Sequence, residues 1–379
     1  MLGIISSLFP YLVLISFVLL LYVRTILHSS TGDDPAVLTN PNIGTTYSHW
    51  LKGKPWTWHT LRQAIGVFEV RWLSWYTLGF FRVYSIQHGI NICIHTTCSL
   101  VIWYLFGGSV AVLFAVHPLM TASVCPLSGR FTLLSTMFAL LALLAAANGL
   151  WFLFIMSWLS ALLSKEDFLL LPLLAATMYG WKYSLALLLL IPVWYMFKGY
   201  ATIQRTALKD RWLYFKQFWL YTLQRVPLWL VGRGLMVSPR TDWQRTLHIP
   251  LMMVGLCIVL LTLLFGSGQW MMFFIFGPWM LYSLVQLQHP WMDNRAYFSV
   301  LGLALILKPV WWLVAPLYFI YTRWRIQGYR DHLSYWTMAM RDGAEDAPTI
   351  FNYGSALMAC GFIQEGRKAI QYGLTKDSY

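Results

Sequence analysis

The sequence predicts an all-α, polytopic membrane fold of about 11 transmembrane helices, with interfacial helices and a short C-terminal helical hairpin. Three observations carry this. Of 379 residues, 58% are apolar and only 11% are charged, where soluble domains carry about 25% charge. The apolar residues gather in long runs separated by polar connections. The 21 Trp and 21 Tyr suit aromatic belts at two membrane interfaces.

Taken in order, the runs fall near 2–23, 89–106, 108–121, 131–147, 149–163, 167–179, 182–197, 248–266, 269–286, 296–307 and 309–322. The first, "LGIISSLFPYLVLISFVLLLYV", is long enough for a hydrocarbon core of roughly 30 Å. It lacks the basic start and small-residue cleavage site of a removed signal peptide, so it reads as a permanent anchor. One set of connections is nearly bare: "FGGS", "AAANGL", "YGWKY", "FGSGQ" and "LKPV" carry only Lys182 and Lys308. The other set holds residues 24–88, "HPLMTASVCPLSGR", "SKED", 198–247, "QHPWMDNRAY" and the tail. On this topology all 14 acids and 25 of the 27 Lys and Arg lie on one face, and function is expected there. The positive-inside rule would place that basic face in the cytoplasm, although the rule weakens for long loops.

Two segments on the polar face, "HWLKGKPWTWHTLRQAIGVFEVRWLSWY" and "ALKDRWLYFKQFWLYTLQRVPLWLVGRG", mix Trp with Lys and Arg. They read as interfacial helices with aromatics at the acyl boundary and cations at headgroups. The net charge of +13 points to anionic membrane lipids, not nucleic acid, as the charged partner. Cys93, Cys98, Cys125, Cys257 and Cys360 have no metal-type spacing and read mostly as small apolar residues. Gly-rich phosphate loops, zinc patterns and a G-x-S-x-G elbow do not occur.

Several polar residues stand out against this background. Asp33 and Asp34, in "STGDDPAVLTNPNI", follow the first span. They read either as a solvated turn, with Pro35 favouring an extended Asp34, or as a site. His88, Asn91 and His95 fall at i, i+3 and i+7 and share one helical face. Polar groups within a span face protein interior or a wet cavity, and the alternative is interhelical hydrogen bonding. His117-Pro118 ends another short span and is expected to line the same pocket. Glu166 and Asp167, after Lys165, either order that pocket electrostatically or face solvent. Beyond Arg323 the tail changes character: Gly354, Gly366 and Gly373 are spaced for one tetratricopeptide-type hairpin, in which small residues let two helices pack closely.

The order "DDPAVLTNPNI", "VRWLSWYTLGFF", "HGINICIH", "HPLMTASVCPLSGRFTLLSTMFALLALL", "SKEDFLLLPLL", "DNRAYFSVLGLAL" resembles that of the transmembrane, tetratricopeptide-containing O-mannosyltransferases and their bacterial relatives. Those are GT-C class membrane glycosyltransferases. The resemblance implies a GT-C domain over 1–322, with 24–88 as the first extracytoplasmic loop and 198–247 as a second long one. It implies an extracytoplasmic helical tail over 323–379 and a catalytic pocket on the non-cytoplasmic face, and chain size and compact loops suggest a bacterial or phage-borne version in the inner membrane with a periplasmic site. The implied donor is a sugar on a polyprenyl phosphate, and the implied acceptor is a protein Ser or Thr hydroxyl or an envelope glycan or lipid. Asp34 would be the catalytic base, with Asp33 supporting it or, with Asp34, binding a divalent metal such as Mg or Mn. Arg295, Arg130 and Lys165, each at a span end on the carboxylate face, become candidates for the donor phosphate, with snorkelling as the plain alternative. Three places depart from the family pattern. Its Arg-Pro reads Arg71-Trp72, its Glu-Arg-Tyr reads Asn294-Arg295-Ala296, and its tandem repeats shrink to one partial unit. A lipid-linked sugar transporter or flippase is the rival reading from another class.

Overall fold

The computed structural model describes residues 2–29, 31, 72–79, 83–189, 211–233, 248–264, 274–277, 296–342 and 347–377. Among these residues every regular element is helical and none is a strand. Asp33, Asp34, Arg71 and Arg295 lie outside the described residues, as do the side chain of Glu166 and most of the two long loops.

The chain opens with α1 (Leu2–Tyr22), which runs into a 3-10 turn at Val23–Leu27. Then come α2 (Trp72–Gly79), α3 (Tyr84–Phe106), α4 (Gly108–Val116), the single turn α5 (Thr121–Val124), α6 (Arg130–Ala147), α7 (Trp151–Ser164) and α8 (Leu171–Tyr179). Further along come α9 (Arg211–Leu230), α10 (Ile249–Leu264), α11 (Ser299–Leu307) and α12 (Trp311–Ile326). The tail forms α13 (His332–Arg341), α14 (Ala347–Ala359) and α15 (Ile363–Asp377).

The expected count of about 11 spans needs correction. Among the described residues four helical runs are long and apolar enough to cross a membrane: Leu8–Leu27, Tyr84–Phe106, Leu127–Ala147 and Ser299–Tyr329. Trp151–Ser164 and Ile249–Thr262 are shorter apolar helices. The reason is length. A crossing needs about 20 residues, whereas the segments near 108–121 and 167–179 fold as the nine-residue helices α4 and α8. Each of those rises only about 14 Å. The segment beginning at 182 enters as a 3-10 helix, Trp181–Leu189. The two segments near 296–307 and 309–322 belong to one helical run with a 3-10 turn at Lys308–Val310.

The run containing α6 is 72% buried, against 28% for Leu8–Leu27, so α6 is central and α1 peripheral. The outer face of α1, with Leu8, Phe9, Leu12 and Leu20 exposed, suits lipid contact. The α6–α7 hairpin closes at Gly149, whose φ of 71° is the left-handed conformation that glycine adopts freely. Leu150 N–H donates to the Ala145 carbonyl (2.8 Å) and Gly149 N–H to that of Ala146 (3.0 Å), the paired bonds of a Schellman cap. Helix α9, within the second amphipathic segment, buries Phe218, Thr222, Arg225 and Trp229 along one side, a helical spacing. In the tail, α14 and α15 pack as a hairpin made possible by glycine. A Cβ on Gly354 would stand 2.8 Å from the Gly366 carbonyl oxygen, and one on Gly366 would stand 2.6 Å from that of Gly354.

Between α3 and α6 the chain crosses the interior on a broken helix. Pro118 lacks an N–H, and α4 ends at Val116. Backbone groups freed in a hydrocarbon setting need internal partners, and side chains supply them. Thr322 Oγ1 donates to the Val116 carbonyl (2.6 Å), Thr121 Oγ1 to that of Pro118 (2.7 Å), and Leu119 N–H to His117 Nδ1 (3.2 Å).

Candidate functional site

One end of the bundle collects the buried polar groups. Ser29, just past the first span, donates from its N–H to the Arg330 carbonyl (3.0 Å), and Tyr84 Oη donates to the Ser29 carbonyl (2.9 Å). These bonds join the exits of α1 and α12 to the start of α3. Helix α2 is tied to the same end: Ser74 Oγ donates to the Ser164 carbonyl (3.2 Å) and Gln87 Nε2 to that of Leu78 (2.6 Å). The starts of α3 and α6 and the finish of α7 therefore meet here, beside Ser29 at the exit of the first span.

Arg130, the first residue of α6, is 0% exposed. Its Nε donates to Asn91 Oδ1, and its Nη2 donates to the Gln87 carbonyl (2.6 Å). Asn91 is held in turn, with Nδ2 donating to the carbonyls of Pro126 (3.0 Å) and Val124 (3.3 Å). Arg130 Nη1 has no partner among the described residues, nor does any described carboxylate pair with the guanidinium. His88 is 1% exposed and lies on the turn of α3 that Arg130 covers. Neither of its ring nitrogens has a hydrogen-bond partner among the described residues. The Tyr84 ring meets it edge-on at 4.6 Å.

Lys165 and Asp167 form a separate buried pair. Lys165 Nζ stands 2.8 Å from Asp167 Oδ2, with side-chain exposures of 7% and 3%, and donates to Thr132 Oγ1 (3.0 Å). Trp158 Nε1 donates to the Phe168 carbonyl (2.9 Å) and fixes the turn that carries the pair. Arg130 and Thr132 are two residues apart, hence about 200° apart around α6. Two of the three expected phosphate cations, Arg130 and Lys165, thus meet different flanks of α6.

His95 and His117, also expected in the pocket, serve the broken helix. The Ala115 carbonyl can only accept, so His95 Nε2 carries the proton and donates to it (3.1 Å). Nδ1 is then left to accept from Tyr297 Oη (2.6 Å). His117 Nδ1 caps the Leu119 amide, and its ring lies 4.6 Å from that of Tyr318. The shared face of His88, Asn91 and His95 thus divides by depth: the first two lie at the polar end, the third inside. Replacing Thr322 with Val removes one donor to the broken helix. It should cost about 0.6–1.7 kcal/mol, the range for hydrogen bonds between membrane helices, read as lower thermal stability in detergent.

Two nearby groups carried no sequence signal strong enough to single them out. Gln87 precedes Asn91 by four residues, a spacing that puts both on one face. His28 ends the first apolar run. Burial lowers the His28 pKa from 6.5, Arg330 lowers it further, and a bond to the Tyr329 carbonyl and the Asp331 charge oppose this. His332 is lowered in the same sense, chiefly by burial. Both imidazoles are therefore more readily protonated in the unfolded chain. Stability from their neutral forms is present above about pH 6.5 and is lost as pH falls. His28→Gln should flatten part of that acid limb in a pH series of unfolding curves.

Among the described residues no group of His, Cys, Asp and Glu is placed to hold a metal ion. The Asp33–Asp34 pair, the expected metal site, lies outside them. No protein-family profile, curated protein or solved structure matches the chain.

Proposed function

We propose that this membrane protein is a GT-C type glycosyltransferase that moves a sugar from a polyprenyl-phosphate donor to an acceptor hydroxyl. The observation that carries the reading is the polar end of the bundle. Buried cationic and imidazole groups collect there, beside the exit of the span that leads to Asp33 and Asp34. In the proposed reaction Asp34 takes the proton of the attacking hydroxyl. The acceptor oxygen bonds to the anomeric carbon as the bond from that carbon to the phosphate oxygen breaks. The electron pair leaves with the lipid phosphate, whose growing charge needs preorganised donors. Arg295 and Arg130 are assigned to that charge. Lys165 holds Asp167 and shapes the flank of α6. Asp33 supports Asp34, and the pair offers the ligands for Mg or Mn should the reaction use one.

The acceptor is a protein Ser or Thr, with an envelope glycan or lipid as the alternative, and the setting is the periplasmic face of a bacterial inner membrane. The test is transfer of labelled sugar from a polyprenyl-phosphate donor by the purified protein in nanodiscs. Absence of transfer to peptide, glycan and lipid acceptors alike would refute the reading. The broken helix at His117-Pro118 favours a second reading, because transporters build ion and substrate sites on such breaks. Here the break's freed carbonyls are taken up by Thr322, His95 and Thr121, which weighs towards a structural role. Scrambling of labelled donor between leaflets, without transfer, would favour the transporter.

A further inference from the structure

We propose that Arg130 and His88 form a buried receptor for one phosphate group, entered from the polar end of the bundle. The proposal deepens the reading above by naming the residues that grip the anion and separating them from Lys165. It rests on that reading only for the phosphate's source.

The guanidinium of Arg130 is fully buried in a largely apolar bundle. Its two bonded donors meet neutral oxygens, Asn91 Oδ1 and the Gln87 carbonyl. Those contacts aim the group without cancelling its charge. The remaining Nη1 amino group offers two N–H donors and has no partner among the described residues. Asn91 itself is anchored through both ends of its amide, so the guanidinium is held in a fixed orientation. His88 supplies the second observation. A neutral imidazole carries one N–H and one acceptor nitrogen, and both are buried and unpartnered among the described residues. Gln87, His88 and Asn91 share one turn of α3, and the guanidinium lies across it. Arg130 and His88 thus meet at one turn of α3, and the anion is assigned to the position between the imidazole and Nη1.

A ligand that completes this arrangement carries negative charge and several acceptor oxygens. A neutral sugar hydroxyl would leave the buried charge uncompensated, and a carboxylate offers only two oxygens. A tetrahedral phosphate can take both Nη1 hydrogens and the imidazole hydrogen through separate oxygens. The positive end of the α6 dipole, where Arg130 sits, favours the same sign of charge. Lys165 is excluded because Asp167 and Thr132 hold its ammonium on the other flank of α6.

The test uses the full-length protein in nanodiscs. Inorganic phosphate is one probe, followed by phosphorus NMR line broadening in neutral phosphatidylcholine discs. The other is phosphatidic acid introduced into the same discs, followed by the rise in melting temperature that mass action requires. Binding of inorganic phosphate assigns a soluble source, and binding of phosphatidic acid alone assigns a lipid headgroup. Either supports the site provided that Arg130→Gln weakens it about 10–100-fold, the loss expected for charge-assisted bonds. His88→Gln should weaken it by a smaller factor. Lys368→Gln, an exposed cation on α15, is the control and should bind as the parent does. If Arg130→Gln does not assemble, Arg130→Lys and His88→Gln carry the comparison, each expected to bind more weakly than the parent. The proposal is overturned if neither probe binds, or if the assembled variants bind as tightly as the parent. Phosphate binding without sugar transfer would remove the glycosyltransferase reading and leave the anion site standing. Sugar transfer with unaltered binding in the Arg130 variants would do the reverse.

Discussion

Asp34→Asn is expected to lower sugar transfer by about 10²–10⁴-fold, the usual contribution of a positioned general base, while leaving donor binding unchanged. The amide keeps the size and most of the hydrogen-bonding shape of the carboxylate but cannot accept the hydroxyl proton at neutral pH. Donor binding is assigned to cations, so its dissociation constant should move little, and the loss should fall on turnover. Asp33→Asn should be milder if Asp33 only supports its neighbour. If the pair binds a metal, both variants should instead shift the metal concentration needed for half-maximal rate. Radiolabelled transfer assays in nanodiscs, with donor binding measured separately, resolve these patterns. Undiminished transfer by Asp34→Asn would remove it as the base.

The helical, membrane-type character of the chain was legible because charge has few places to go in an apolar chain. Two of the five bare connections meet: Tyr183, beside Lys182, donates to the Ala146 carbonyl (2.8 Å) at the α6–α7 turn. The close hairpin of the tail was legible for a similar reason, since only glycine permits carbonyl contact of the kind made by Gly354 and Gly366. The number of spans was not legible. Hydropathy marks every apolar segment, and the short pieces α4 and α8 score as a spanning helix does although each has only nine residues. Helical spacing put His88, Asn91 and His95 on one face, but spacing carries no information about depth. His95 reaches the break at Ala115, and His88 does not. The identity of the break as a consumer of polar groups depends on Thr322, which lies 206 positions along the chain from the Val116 carbonyl it caps. Local sequence could not connect the two.

Distance in sequence likewise separates Arg130, on α6, from Lys165, which follows α7 and meets α6 through Thr132, and Lys165 carries the other large effect. Lys165→Met is expected to destabilise the fold by about 3–5 kcal/mol, the cost of breaking a buried ion pair from one side. The Lys165 ammonium and the Asp167 carboxylate are 2.8 Å apart and almost wholly removed from solvent. Methionine fills similar volume, so the loss arises from a buried carboxylate deprived of its cation rather than from a cavity. Thr132 also loses the ammonium that donates to its hydroxyl oxygen. Replacing both partners, Lys165→Met with Asp167→Leu, should recover most of the stability, because an apolar pair of similar size often matches a buried ion pair. The double-mutant cycle, read from unfolding in mild detergent, then gives the coupling directly. Phosphate affinity separates the two cations. It should stay close to that of the parent in assembled Lys165→Met protein and fall in Arg130→Gln, whose guanidinium has no described carboxylate to lose. A large affinity loss in Lys165→Met without a stability loss would mean that the ammonium faces the ligand, and that the two flanks of α6 act as one site.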